Sequence, residues 1–222
     1  MAYILHLETA TKVCSVALSN DGKLIQQKET EEDGYSHGEN LTLFIEAVVQ
    51  AAGITMKDLS AVSVASGPGS YTGLRIGVAT AKGICYALKI PLIAVDALTS
   101  LCEIAREQHP GKTLCAMIDA RRMEVYSMIQ SPENALLKTI SADILDETSY
   151  QEFSPFVYFG DGAPKLQDVW TDDDRVADVE IKCSARGQVA LAHAAFQNKN
   201  FEDVAYFEPF YLKDFIAGVK KA

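Results

Sequence analysis

Residues 66–75 read Ser-Gly-Pro-Gly-Ser-Tyr-Thr-Gly-Leu-Arg and join an apolar run at 61–65 to a helical period through Thr72, Ile76, Ala79, Gly83, Ile84 and Ala87. Gly67, Gly69 and Gly73 permit backbone geometries and close approaches that a β-carbon forbids. Loop amides leading into a helix N-terminus attract an anion, so one reading is a phosphate cradle. The run lacks the Gly-Lys-Ser/Thr ending of a P-loop and does not fit G-x-G-x-x-G. The other reading is a tight strand-to-helix turn whose small residues, Gly73, Gly77, Ala81 and Gly83, let the helix pack closely. Residue types alone favour packing.

The other reactive side chains form no familiar constellation. His6, His37, His109 and His193 are scattered without metal-binding spacing. His6 alternates with Leu5 and Leu7, and His193 lies among alanines, so both read as satisfied core or interface histidines. Ser36, Ser66 and Ser70 lack the G-x-S-x-G setting of a nucleophile. Asp119, Arg121, Arg122 and Glu124 fit a surface ion-pair network better than acid–base chemistry. The run 172–174, three aspartates, lacks calcium-loop spacing and reads as a solvated turn. The five cysteines (14, 85, 102, 115 and 183) sit in apolar strings and read as reduced, buried thiols. Tyr206, Phe207, Phe210, Tyr211 and Phe215 have few basic neighbours for base stacking, so they read as anchors for the C-terminal segment or as partner contacts.

These side chains are positioned by a pattern that occurs twice. An apolar run at 3–7 ends on Glu8, a polar turn follows, 13–18 is a strand, Asn20-Asp21-Gly22 is a hairpin turn, and 24–28 is a third strand. Residues 38–52 carry a 3.6-residue period with Leu41, Phe44, Ile45, Val48 and Val49 on one face, closed by Gly53. Strand 61–65, helix 72–88 and strand 91–95 follow. The second half restarts with 114–118 ending on Asp119, a turn at 120–122, and strands at 124–130 and 136–140. A strand–glycine–helix unit is expected in both halves. In the second it is strand 157–159, the turn Gly160-Asp161-Gly162 and Pro164 at a helix start. Ser184 caps a last helix through about Phe196. The repeated acid after the first strand points to an internal duplication, with α/β domains at 1–108 and 109–222 and the boundary between Ala105 and Lys112.

The net charge of −10 opposes a direct grip on nucleic acid, which needs clustered Lys and Arg. It also disfavours an anionic membrane surface. The chain has no apolar run of membrane-spanning length and no signal-peptide pattern, so a cytoplasmic protein is expected.

Gly67-Pro-Gly-Ser-Tyr-Thr-Gly-Leu-Arg-Ile-Gly77, continuing to Gly83 and Pro91, closely resembles the signature of the TsaB family. The resemblance extends to Leu7-Glu-Thr-Ala-Thr11 with Cys14-Ser-Val-Ala-Leu18, Tyr35-Ser-His37, Ile118-Asp-Ala-Arg-Arg122 with Glu124-Val-Tyr126, Gly160-Asp-Gly-Ala163 and Pro209-Phe-Tyr-Leu212. It implies two actin-like, ribonuclease H-like domains. It also implies a non-catalytic scaffold that works with a TsaD-type catalytic subunit and a TsaE-type ATPase. That assembly forms threonylcarbamoyladenosine in tRNAs reading ANN codons. The same resemblance implies self-pairing as a homodimer, contact with tRNA only through the complex, and use of ATP and Mg²⁺ by the partner subunits rather than by this chain alone.

By that resemblance the two N-terminal helices form the partner surface, with His37, Leu41, Phe44, Ile45, Val48, Tyr71, Thr72, Arg75, Ile76, Ala79 and Gly83 as candidates. A vestigial nucleotide site would involve Glu8, Thr9, Gly67, Gly69, Ser70, Asp119, Gly160 and Gly162. No catalytic residue and no metal ligand are expected. Catalytic relatives carry His-x-x-x-His, but here His37 is followed four residues on by Leu41. Glu8 stands where nucleotide-binding relatives usually place Asp, and Asp161 sits between the two glycines. A glycoprotease-like peptidase and an ATP-dependent phosphotransferase are the alternatives.

Overall fold

The computed structural model describes residues 1–31 and 37–213. Tyr35, Ser36 and Phe215, all singled out above, lie outside them.

The chain begins with β1 (Tyr3–Glu8), β2 (Val13–Asn20) and β3 (Lys23–Glu31). The two-residue turn Asp21-Gly22 has φ of 47° and 76°, the left-handed pair that matches the twist of adjoining strands. Next come α1 (His37–Ala51), β4 (Leu59–Gly67), α2 (Tyr71–Leu88), β5 (Leu92–Asp96) and α3 (Ala97–Gln108). Gly53, at φ 68°, closes α1 as its sequence position suggests. The second half supplies β6 (Leu114–Asp119), β7 (Glu124–Gln130), β8 (Leu136–Ile144), β9 (Phe156–Phe159), β10 (Arg175–Asp178) and α4 (Val189–Gln197).

The sheets are ordered β3-β2-β1-β4-β5 and β10-β9-β6-β7-β8. With β6 standing for β1, the orders are the same. In each, the first strand pairs antiparallel with the second and parallel with the fourth. Glu8 and Asp119 therefore end equivalent strands, as a duplication requires.

The helices do not repeat so faithfully. After β9 the expected helix at Pro164 is a single 3-10 turn, Ala163–Leu166. The helix α3, which the apolar pattern had not singled out, lies between the sheets. Its Leu98, Leu101, Cys102 and Ala105 share one core with Leu74 of α2 and with Leu114, Ala116, Val157 and Phe159 of the second sheet. Ser184 accepts the Arg186 amide and opens a 3-10 turn, Ala185–Gln188, that leads into α4. That helix returns to the first sheet, where Ala192 packs with Ile4, Ala61, Ile93 and Val95.

The opposite face of the first sheet holds α1 and α2. Leu41, Phe44, Ile45 and Val48 join Leu5, Leu7, Val16, Val62 and Val64 in the largest core. The helical period had located this face correctly, but it faces the chain's own sheet. These four residues are thus not available to a partner, and His37 is buried with them.

The approach of α2 depends on two glycines. A β-carbon on Gly73 would stand 2.1 Å from the Thr9 carbonyl oxygen, and one on Gly77 would stand 2.3 Å from Thr9 Oγ1. Gly83, counted above among the close-packing residues, has nothing within 4 Å of that position. We expect Gly73→Ala to cost about 3 kcal/mol or more in urea unfolding, because backbone must move to admit the methyl. Gly83→Ala should instead stabilise by roughly 0.5–1 kcal/mol through helix propensity. Equal effects would contradict this account of α2.

Candidate functional site

A cleft of about 500 Å³ opens between the halves at the ends of β1 and β6. One wall comprises Ala10–Lys12 and the 69–72 turn, the other Ile118–Arg121 with Tyr126 and Asp161, and Phe210–Lys213 lie across it. Of the nucleotide-site candidates, Gly69, Ser70 and Asp119 line this cleft. The rest do not.

Glu8 and Thr9 are buried behind it. Thr9 Oγ1 donates to the Gly73 carbonyl at 2.8 Å, and the Ser70 amide donates to the Ala10 carbonyl at 2.6 Å. Gly69 is pressed against that same carbonyl, 2.3 Å from where its β-carbon would be. The first-strand turn and the glycine loop therefore pack closely on one another. The packing reading holds.

Glu8 accepts the Ala10 amide at 2.8 Å and the Gln188 side-chain amide at 3.4 Å. Among the described residues no cation pairs with it, and burial pushes its carboxyl up to about 7 despite these bonds. Nearby, His6 lies between the Ser63 and Ser19 hydroxyls at 2.7 and 2.8 Å. Burial pushes it down to about 3, so it is a neutral core histidine. Ser63 in turn donates to Gln188, whose amide donates to the Leu7 carbonyl.

Asp119 ends β6 at the cleft and pairs with Lys165 at 2.8 Å. Its amide donates to Asp161, whose carboxyl burial pushes up to about 6. Gly160, at φ 99°, and Gly162 close down on β6. A β-carbon on Gly160 would lie 2.1 Å from the Met117 carbonyl oxygen. These glycines serve close packing, and Asp161 caps a strand end. Lysines rather than the neighbouring arginines partner the acids here, since Glu124 pairs with Lys213. Arg121 and Arg122 form the turn itself, at φ 72° and 53°.

His37 Nε2 meets the Thr11 carbonyl oxygen at 2.9 Å, and Leu41, in the position of a second histidine, is 1% exposed in the core. Among the described residues no three His, Cys, Asp or Glu side chains are placed to share a metal ion. All five cysteines are buried, and burial pushes Cys85 up to about 11 and Cys102, Cys115 and Cys183 upward. Asp172 accepts Arg175 in the acidic turn.

What the pattern did not disclose is the path of residues 202–213. They run back along β5 and α2, where Lys82 holds the carbonyls of Ala205 and Phe207 at 3.1 and 3.0 Å. The Phe210 amide donates to Ser66, and Tyr211 lies 4.8 Å from the Tyr71 ring. Arg75 covers Tyr71 and donates to the Tyr211 hydroxyl at 3.3 Å, which commits a candidate partner residue within the chain. Of the aromatic string, Phe207 and Tyr211 pack against the body and anchor the segment, while Tyr206 and Phe210 stay exposed.

Two duplicated sheets around a closed-in cleft define an actin-like, ribonuclease H-like α/β protein. The model of the family described as TsaD: tRNA N6-adenosine threonylcarbamoyltransferase matches residues 29–217, and the chain belongs to that family, within its TsaB branch. It is 29% identical over 226 residues to the tRNA threonylcarbamoyladenosine biosynthesis protein TsaB of Escherichia coli K12, covering 98% of this chain and 97% of the relative. The Bacillus subtilis TsaB is 32% identical over 140 residues, 63% of this chain and 60% of that one. YeaZ from Pseudomonas aeruginosa superposes with a TM-score of 0.81 at 24% identity, covering 96% of this chain and 100% of its own, which shows the shared fold.

The buried acid makes a pH-dependent prediction. Burying Glu8 is costly only when it is ionised, so the penalty is absent below its ordinary value of 4.5, grows as pH rises to about 7, and is full above that. Glu8→Gln should therefore be more stable than the parent near pH 8, by about 3 kcal/mol, and equal to it near pH 4. Urea titrations of both proteins at the two pH values measure this difference, from which His6 cancels.

Proposed function

We propose that this chain is a non-catalytic supporting subunit in the formation of N6-threonylcarbamoyladenosine in tRNA, acting beside a TsaD-type catalytic subunit and a TsaE-type ATPase. The names of its E. coli and B. subtilis relatives place them in that pathway. The observation that carries the supporting role is the outer face of α2. Thr72, Ala79, Gly83 and Tyr86 are exposed along it, Tyr86 at 82%. Ala79 and Gly83, four residues apart, lie one above the other on that face. Two small residues one turn apart admit a partner helix to close backbone range. Beside it, α1 presents Leu43, 58% exposed, with Thr42, Glu46 and Gln50. The partner surface of this reading is thus Thr72, Ile76, Ala79, Gly83 and Tyr86 with Leu43.

The same face suits self-pairing when the catalytic subunit is absent. With a net charge of −10, the chain reaches tRNA through the complex. ATP and Mg²⁺ are left to the partners, because the turn that would receive phosphate is packed against Gly69 and Gly73. The protein works in the cytoplasm; among the described residues no helix is long and apolar enough to cross a membrane.

Co-elution of the purified chain with the TsaD-type subunit of the same cell tests the reading. The parent is expected to bind. Ala79→Glu should weaken association on the order of a hundredfold with an unchanged melting temperature, since it buries a charge at the contact centre without touching the core. Undiminished binding by the variant would move the surface elsewhere, and no binding by the parent would remove the supporting role.

A further inference from the structure

We propose that residues 202–213 are a clasp that fastens the two halves across the mouth of the cleft and restrains its opening. The segment is gripped on the first half at successive points. The Glu202 amide donates to the Leu92 carbonyl at 2.9 Å, Lys82 holds two carbonyls, and the Phe210 amide reaches Ser66 at 2.7 Å. Gly67 is shaped for this passage: at φ 112° it brings the Phe210 carbonyl oxygen to 2.5 Å from where a β-carbon would stand. Tyr211 then lies against Tyr71 under the Arg75 guanidinium. Two residues further, Lys213 pairs with Glu124 at the start of β7, on the other half.

The character of these grips suits a device that opens. Tyr206 and Phe210 remain exposed, at 84% and 46%, and Val204, Phe207 and Tyr211 are only partly buried against the cores, so the segment is held less deeply than a core element. Surface ion pairs and ring contacts are individually weak and open locally at low cost. Elsewhere the halves are joined firmly. There α3 shares a core with both sheets, Gln188 reaches Leu7 and Ser63, and the Ala185 amide donates to Ser15 at 3.0 Å. Releasing the clasp frees the mouth while these contacts keep the halves joined. With the clasp closed, Phe210–Lys213 form part of the cleft lining.

Hydrogen exchange on the full chain tests this, comparing the parent with the double variant Tyr211→Ala, Lys213→Ala. Amides of 69–72 and 118–121 should exchange on the order of tenfold faster in the variant, with those of β2 and β4 unchanged. Parent-like exchange at the cleft would overturn the proposal. So would uniform acceleration throughout the chain, which would make the segment an ordinary part of the fold.

Discussion

The carbonyl oxygens of Thr9 and Ala10 lie almost where β-carbons would stand on Gly73 and Gly69, and much of the first half follows from that contact. It draws the N-terminal turn of α2 onto the end of β1. That approach seats Leu74 and Val78 in the cores and leaves Ala79, Gly83 and Tyr86 on the outside. It also commits the Ser70 amide of the glycine loop to the Ala10 carbonyl. Tying down the loop amide and exposing a helix face are two results of one packing contact.

The second constraint is a polar seam running through the middle of the molecule. Ser19, His6, Ser63 and Gln188 form a buried chain of hydrogen bonds, and Gln188 comes from the second half. Such a chain holds two parts in register because breaking it strands buried polar atoms. Ser184 adds bonds to Glu29 and Gln27 on β3 at its edge. Glu8 is the seam's weak member, with amide donors but, among the described residues, no cation.

Much of this architecture was legible in the residues. The acid after the first strand recurs at Glu8 and Asp119, and alternation and turn chemistry placed most strands. The glycine loop reads as packing, and its partners are the carbonyls of Thr9 and Ala10. The direction of α1's apolar face was less accessible. Leu41, Phe44, Ile45 and Val48 announce burial, but periodicity does not say whether a sheet or another protein covers them. Gly73 and Gly83 look alike in sequence, yet one meets a carbonyl and the other open space. The helix α3 follows β5 almost without a break, and its apolar positions do not announce a helix in the sequence; only its end, from Ala105, falls in the expected domain boundary. The course of 202–213 depends on backbone carbonyls meeting Lys82 and Ser66, and main-chain acceptors leave no trace in residue types.

We propose that the isolated chain binds no nucleotide, because its glycine loop is packed against the turn after β1. Calorimetric titration of the purified protein with ATP and Mg²⁺ tests it most directly. The packed Thr9–Gly73 and Ala10–Gly69 contacts predict no saturable heat; saturable binding with a micromolar dissociation constant would contradict the account.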